Sequence, residues 1–398
     1  MSFEEIKNKS EASIMPTYGK FPVAIESGKG SVVTDTEGKQ YIDFTSGIGV
    51  NSLGHAEPGW VAAVTEQIGK CAHVSNLFYN PTTVEMSAKL CQVSGFGKAF
   101  LCNSGAEANE CAIKLARKYS FDKYGEGRST IISLMDSFHG RTMATITATG
   151  QDSFHQYFYP FLPGFRYAEK NMEGLLSQWD DTVCAVIMEP IQGEGGVMPL
   201  DPAFVKEAAA LCKEKDVLLI FDEVQTGVGR TGKFFAWENI GVQPDVLTSA
   251  KGLAGGLPVG ACLCKEELGS VLGSGAHGTT FGGNPVACAG ALQVMKTVTA
   301  DGFLDEVQAK GQYMKECILK MENVEEVRGQ GMMIGIVLKS GTSKGIADRC
   351  VANGLLVLTA KALVRLLPPL NITPEELKKG LAILEKSLAE EAAAAQGE

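Results

Sequence analysis

The sequence predicts an α/β fold built on a mainly parallel sheet covered by helices on both faces, and three observations carry that expectation. Short runs at residues 98–102, 130–135, 183–188, 217–221 and 246–249 are mainly apolar on both of their alternating sides. A strand buried on both faces has no side to give to water, so it reads as a continuous apolar run. Between these runs lie helical repeats such as 108–119, where Ala108, Cys111, Ala112, Leu115, Ala116 and Tyr119 share one face. The two patterns alternate from about residue 60 to 290, as crossover-connected strands require.

The ends of the chain read differently. Residues 20–55 hold short strands around Val32, Val33, Tyr41 and Phe44, punctuated by Gly28, Gly30, Gly38, Gly47 and Gly49. The last hundred residues mix helices with two strand-like runs, 333–338 and 355–358. A final helix opens at Thr373-Pro374-Glu375-Glu376, with an N-cap, a first-turn proline and a capping-box glutamate. Its apolar stripe is Leu377, Leu381, Leu384 and Leu388, and the Ala-rich tail 390–398 is expected to fray. No internal repeat or long linker separates independent modules.

With 398 residues the chain exceeds one ordinary core, so two or three domains are expected. Apolar residues make up 45% and charged residues 21%, an ordinary globular balance. No stretch reaches the roughly 18 apolar residues of a membrane span. Residues 1–13 carry Glu4, Glu5, Lys7 and Lys9 and lack an apolar signal centre, so a cytoplasmic protein is expected. The 46 acidic residues against 36 basic give a net charge of −10, which argues against nucleic acid or anionic membrane as a partner. The 11 cysteines are scattered through apolar stretches, Cys91, Cys184 and Cys288 among them, and read as reduced buried thiols. The five histidines are too far apart for a metal site.

Ligands collect at the carboxyl ends of the strands in a parallel sheet, and three such ends carry chemistry. After the run at 98–102 comes Asn103-Ser104-Gly105-Ala106-Glu107, a capped helix start whose open amides and positive dipole end suit a phosphate. Taken alone it reads first as an ordinary cap with no ligand. Asp222 emerges from the apolar run at 217–221, followed by Gln225. A carboxylate there needs a cation or donors, and a protonated ring nitrogen is such a partner, as is a structural ion pair. Gln225 can reach a neighbouring ring hydroxyl. Lys251 ends the run at 246–249 among small residues, where burial beside positive charge makes an amine nucleophilic. Alone it could be a surface lysine in a glycine-rich turn. Together, a phosphate cradle, an acid facing a ring nitrogen and a strand-end lysine describe a pyridoxal 5'-phosphate pocket.

Gly227-x-Gly229-x-x-Gly232 matches a dinucleotide fingerprint by pattern. Asp222 to Thr226 separates it from its strand, and the following Lys233-Phe234-Phe235-Ala236-Trp237 is aromatic rather than an amphipathic helix start, so the required context is missing.

The longer motifs around these sites are Asn103-Ser104-Gly105-Ala106-Glu107-Ala108-Asn109-Glu110, Phe138-His139-Gly140-Arg141-Thr142 and Glu189-Pro190-Ile191-Gln192-Gly193-Glu194-Gly195-Gly196. Further along stand Asp222-Glu223-Val224-Gln225, Ala250-Lys251-Gly252, Thr280-Phe281-Gly282-Gly283-Asn284-Pro285 and Arg365-Leu366-Leu367-Pro368-Pro369-Leu370. With them the chain closely resembles the class III (subgroup II) aminotransferases from about residue 18 to 373. That resemblance implies the type I pyridoxal-phosphate-dependent transferase fold. It divides the chain into a large cofactor-binding domain at 57–295 and a small α+β domain made of 1–56 and 296–398.

The resemblance also implies roles. Ser104, Gly105 and Ala106 would hold the phosphate, and Phe138 would stack on the pyridine ring. Asp222 would pair with the ring nitrogen, Gln225 with the ring hydroxyl, and Glu223 and Val224 would complete that segment of the cofactor site. Lys251 would hold the cofactor covalently and shuttle a proton between substrate and cofactor carbons. Thr280 would reach the phosphate in the neighbouring subunit of a homodimer, so that active sites are shared. Arg141 would clamp the substrate carboxylate, Thr279 would contact substrate, and Glu194 would pair with Arg365 until a second carboxylate arrives. No metal is implied.

The partners implied are an amino donor and 2-oxoglutarate. Tyr18-Gly19-Lys20-Phe21-Pro22, with Tyr18 facing substrate, Ser75-Asn76-Leu77-Phe78-Tyr79-Asn80 and Phe161-Leu162-Pro163-Gly164-Phe165 look like the branch acting on N-acetylornithine. Ornithine, succinylornithine and 4-aminobutyrate enzymes share the catalytic set. Glu57 departs from the histidine that relatives often carry, with little functional effect expected. An aminomutase would need no 2-oxoglutarate, and a nicotinamide dehydrogenase would bind no pyridoxal. Two carboxylate clamps, Arg141 and Arg365, favour alternating transaminase substrates.

Overall fold

A computed structural model describes residues 1–396. Its centre is a seven-stranded sheet in the order Lys98–Cys102, Gly260–Cys264, Val246–Ser249, Leu218–Asp222, Val183–Met188, Thr130–Leu134, Phe165–Ala168. The strands run parallel apart from Gly260–Cys264, which is antiparallel to both its neighbours. Every apolar run read from the sequence is a strand of this sheet. Two strands lie outside those runs. Phe165–Ala168 is an edge strand and mostly half-buried, and Gly260–Cys264 is too rich in small residues to stand out.

The strands divide their side chains between two faces with period two, and both faces are covered, which is why apolar residues stand on both. Ile131, Ala185, Ile187, Leu218, Ile220 and Val246 pack under the helix Gly105–Tyr124 through its Cys111, Ala112, Leu115 and Ala116. Ile132, Val186, Met188, Leu219 and Phe221 face Phe204, Val205, Ala208 and Cys212 of the helix Pro202–Glu214.

The chain ends interleave. Ile25–Lys29, Val32–Asp35 and Gln40–Asp43 form a sheet that Leu355–Leu356 joins in parallel. A second sheet orders Val324–Gln330, Met333–Leu338, Leu363–Leu366 and Leu358–Ala360. The run expected as one strand at 355–358 is therefore split at the buried Val357, and its halves pair with different sheets. Val324–Gln330 and Leu363–Leu366 were not legible from composition, since the first carries three charges in seven residues.

The last helix is Pro374–Gln396. Thr373 accepts from the Glu376 amide and Glu376 from the Thr373 amide, the reciprocal cap expected. Leu377, Leu381, Leu384 and Leu388 are buried. The tail does not fray as expected: it stays helical to Gln396, because the Glu391 carboxylate accepts from Thr342 and Arg349 and Ala392 is buried. Residues 397–398 of that expectation lie outside the described residues. Glu57 caps the helix Pro58–Lys70 through the Gly59 and Trp60 amides, which accounts for a carboxylate at that position. All 11 cysteines are unpaired; eight are buried, while Cys71, Cys91 and Cys317 are partly exposed.

Candidate active site

Five parallel strands end on one edge of the central sheet, and residues at or within four positions of each end bear on a single cavity of about 340 Å³. Across the sheet these are Ser104-Gly105-Ala106, Lys251, Asp222, Glu189 and Phe138. The antiparallel strand adds Leu257, Pro258 and Val259 at the same edge, so its reversed direction brings a loop to the mouth rather than a strand end.

At the first end, Ser104 caps the helix by accepting from the Glu107 amide, and Glu107 reaches back to the Asn103 amide. A Cβ on Gly105 would come within 2.6 Å of Val224 Cγ1, so the amides of this turn lie against the Asp222 segment with no room for a side chain. The long helix behind aligns its dipole on the cradle.

Asp222 is 4% exposed and its Oδ2 accepts from Asn109 Nδ2 at 2.7 Å and is paired with His139 Nδ1 at 2.8 Å. Asn109 also donates to the His139 carbonyl and accepts from Thr248 Oγ1 at 2.7 Å. Oδ1 of Asp222, a residue that lines the cavity, takes only the Val224 amide, at 3.0 Å, and keeps capacity for another donor. Lys251 sits in a 3-10 turn with φ +38°, a left-handed strain that non-glycine residues adopt only where the surroundings impose it. The Gly252 carbonyl, bonded by Ser52 Oγ, and the Leu253-to-Ala250 bond hold the turn. Burial lowers the Lys251 pKa from its ordinary value; Glu194 opposes and Arg365 assists the shift.

Arg365, on the strand Leu363–Leu366 and 3% exposed, donates to Glu194 Oε1 at 2.6 Å and Oε2 at 3.3 Å, and to Gln225 Oε1 at 3.1 Å. Burial tends to raise the Glu194 carboxyl, but Arg365 and then Lys251 hold it below the ordinary value. Glu194 and Arg365 thus meet as expected from the resemblance. Phe138 lines the cavity and meets Phe154 edge-on at 5.5 Å, while the exposed Arg141 stacks over Phe154 at 4.3 Å and lies 5.6 Å from the Phe138 ring. Thr279 touches the cradle indirectly, accepting from Asn103 Nδ2 at 3.1 Å.

Three expected residues lie elsewhere. Glu223 turns away from the cavity: its buried carboxylate accepts from the Ala236 and Trp237 amides and Thr226, and it fastens the following loop. Thr280 is exposed and outside this chain's cavity. Tyr18 is 79% exposed in a separate groove beside the helix Phe3–Ser13. The glycines of the dinucleotide-like pattern serve packing instead: Gly229 abuts Val298, Leu370 and Leu304, and Gly232 abuts Gln308.

Asn109, His139 and Glu189 bear on the site with no role read for them from the sequence. Glu189 had a signal, since like Asp222 it is a carboxylate directly after a wholly apolar strand. Asn109 lies among Ala108, Cys111 and Ala112 on a buried helix face, a polar residue where the pattern calls for an apolar one. The small cradle, the spare acceptor of Asp222, the aromatic wall and the buried amine together fit a flat, phosphorylated, cationic ring. Among the described residues no His, Cys, Asp or Glu group is arranged to hold a metal.

Comparison with known proteins adds to this geometry. The family described as aminotransferase class-III matches residues 14–388. The acetylornithine aminotransferase of Haemophilus ducreyi is 48% identical over 395 residues, covering 98% of this chain and 100% of its own. That of Methanocaldococcus jannaschii is 44% identical, covering 90% and 92%. Among solved structures, the ornithine aminotransferase from Toxoplasma gondii superposes with a TM-score of 0.94 at 31% identity, covering 98% of this chain and 96% of its own. The N-acetylornithine aminotransferase from Stenotrophomonas maltophilia superposes with a TM-score of 0.84 at 36% identity, covering 97% and 99%.

Proposed function

The chain belongs to the class-III aminotransferases, and on that premise we propose that it moves the terminal amino group of N2-acetylornithine to 2-oxoglutarate, using pyridoxal 5'-phosphate. The products are N-acetylglutamate 5-semialdehyde and glutamate, a step of arginine biosynthesis. The observation that supports it most is the convergence of the Ser104–Ala106 amides, Lys251, Asp222 and Phe138 on one cavity at a single sheet edge.

When bound, pyridoxal phosphate supplies an aldehyde that condenses with amines and a ring that takes up an electron pair. The Gly105 and Ala106 amides hold the phosphate at the helix start. Asp222, oriented by Asn109 and His139, would pair with the ring nitrogen. Phe138 would stack on the ring. Gln225, already accepting from Arg365, lines the ring-hydroxyl side. Burial lowers the Lys251 pKa and so favours its unprotonated, nucleophilic form; Nζ would be the group that holds the aldehyde and that moves a proton at the amine-bearing carbon. Arg141 clamps the α-carboxylate. Glu194 would neutralise Arg365 while N-acetylornithine presents no carboxylate beside its reacting carbon, and would yield it to the carboxylate on the reacting carbon of glutamate or 2-oxoglutarate, whose other carboxylate takes Arg141.

The assembly is a homodimer on this reading. Leu77, Phe78 and Tyr79, exposed at 88%, 68% and 99%, form an apolar surface of the kind that subunits cover. Thr280, exposed in its own chain, is then free to reach the other subunit's phosphate. Eleven unpaired thiols suit the reducing cytoplasm, and among the described residues no helix is long and apolar enough to cross a membrane.

The test is a donor panel with 2-oxoglutarate: N-acetylornithine, ornithine, succinylornithine and 4-aminobutyrate. N-acetylornithine is expected to give the highest kcat/KM. Ornithine is the second candidate, because the ornithine enzyme of Toxoplasma gondii superposes so closely. Absence of amino transfer from every donor in the presence of pyridoxal phosphate would sink the reading.

A further inference from the structure

The Glu189 carboxylate follows the apolar strand Val183–Met188 and is 5% exposed. It forms no ion pair with a lysine or arginine among the described residues, so its surroundings must explain why a charge-bearing group is kept there. Its two oxygens each take one backbone amide: Phe138 N–H donates to Oε1 at 2.9 Å and Gly193 N–H to Oε2 at 3.2 Å. These amides belong to two separate working parts of the site. Phe138 is the aromatic wall, and Gly193 precedes Glu194. The Gly193 Cα in turn lies flat on the Gln225 amide, since a Cβ there would overlap Gln225 Oε1, and Gln225 accepts from Arg365. Burial, only partly offset by His139, raises this carboxyl, so its place is costly to maintain and a neutral side chain of the same shape would remove that cost.

Resting on the cofactor and substrate reading above, we propose that Glu189 is a positioning residue that ties the aromatic wall over the cofactor to the turn carrying the donor-discriminating Glu194. One side chain, held by the sheet, sets the height of Phe138 over the ring and the reach of Glu194 toward Arg365. Wall and gate then keep one spacing while donor and acceptor alternate in the cavity.

Glu189→Gln tests this at constant shape, because an amide can accept only one of the two N–H groups and turns an NH2 against the other. Glu223→Gln is the control: it also removes a buried strand-end carboxylate bonded to backbone amides, but one facing away from the cavity. Three quantities are read on purified protein loaded with pyridoxal phosphate: visible circular dichroism of the bound cofactor, its dissociation constant, and the KM ratio of glutamate to N-acetylornithine. In Glu189→Gln the dichroic band is expected to fall at least twofold, the cofactor to bind about tenfold more weakly, and the KM ratio to move about threefold or more. Glu223→Gln is expected to lower melting temperature alone. Gly193→Ala disturbs the same coupling from its other end by displacing Gln225, and is expected to move the KM ratio in a protein that keeps Glu189. A dichroic band and KM ratio equal to wild type in Glu189→Gln, or a Glu223→Gln variant that reproduces its changes, would overturn the proposal while leaving the transaminase reading intact. A wild-type protein that takes up no pyridoxal phosphate would overturn both.

Discussion

Replacing Glu194 with Gln tests the proposal that the Glu194–Arg365 pair lets one pocket serve two substrates. Arg365 is 3% exposed and depends on Glu194 for both of its charge-assisted bonds, with Gln225 as the remaining acceptor. Removing one partner of a fully buried pair costs about 3–5 kcal/mol. Here the Glu194 side chain is 29% exposed and Gln225 still accepts, so about 2 kcal/mol is the expected loss of stability to urea. On the proposed reading, that same interaction must be broken before the carboxylate on the reacting carbon of glutamate can take Arg365. Its removal therefore favours glutamate and 2-oxoglutarate by roughly thirtyfold, at about 1.4 kcal/mol per decade. The reacting end of N-acetylornithine carries no carboxylate to compete for Arg365, so the KM for N-acetylornithine should stay put. The assay is steady-state kinetics with each donor, together with urea unfolding with and without 2-oxoglutarate, which should restore most of the lost stability in the variant. An unchanged glutamate to N-acetylornithine KM ratio would refute the reasoning, because it would mean that the pair is ornamental.

Gly105→Ala places a Cβ within 2.6 Å of Val224 and opens the cradle, so pyridoxal phosphate should bind about tenfold more weakly while pyridoxal without phosphate is little affected; equilibrium dialysis compares them. The lowered Lys251 pKa predicts that covalent cofactor uptake, trapped with borohydride, rises with pH and levels off below 10.5, the ordinary lysine value; Lys251→Ala should take up no label at any pH. Glu223, pushed up to about 7 by burial, binds a proton in the folded state that the unfolded chain has released above about pH 4.5. The folded state then holds more protons than the unfolded one across pH 5–7, so this group's contribution to stability is lost as pH rises through that window. Wild type should lose stability relative to Glu223→Gln over pH 5–7, and parallel unfolding curves across the window would contradict this.

Much of the site was legible because three of its parts sit where an apolar strand stops. Ser104, Asp222 and Lys251 each break a hydrophobic run, and a polar group at that boundary is conspicuous. Glu189 obeys the same rule and could have been read the same way. Glu223 shows the limit of the rule. It is next to Asp222, but a strand alternates its side chains between faces, so neighbours in sequence point to opposite sides and Glu223 fastens the Ala236 loop instead. Tyr18 was expected near substrate on resemblance, yet in the single chain it lies in another groove.

The sequence by itself determined the kind of fold and the chemistry. Mainly apolar runs separated by amphipathic helices admit a covered parallel sheet, and a lysine, an acid and a glycine-opened helix start at strand ends admit a cofactor site. Local pattern suffices for this because burial and backbone spacing act on neighbouring residues. Only the tertiary structure decided which strands adjoin, and with them the order Ser104, Lys251, Asp222, Glu189, Phe138 across one edge. It also decided that the antiparallel Gly260–Cys264 strand intervenes, that residues 355–360 split between two sheets, and that Asn109 and His139 hold one oxygen of Asp222. Strand order and side-chain pairing join residues far apart in the chain. The free energy that selects them arises from contacts made only when the whole core closes, and no local run of residues encodes them alone.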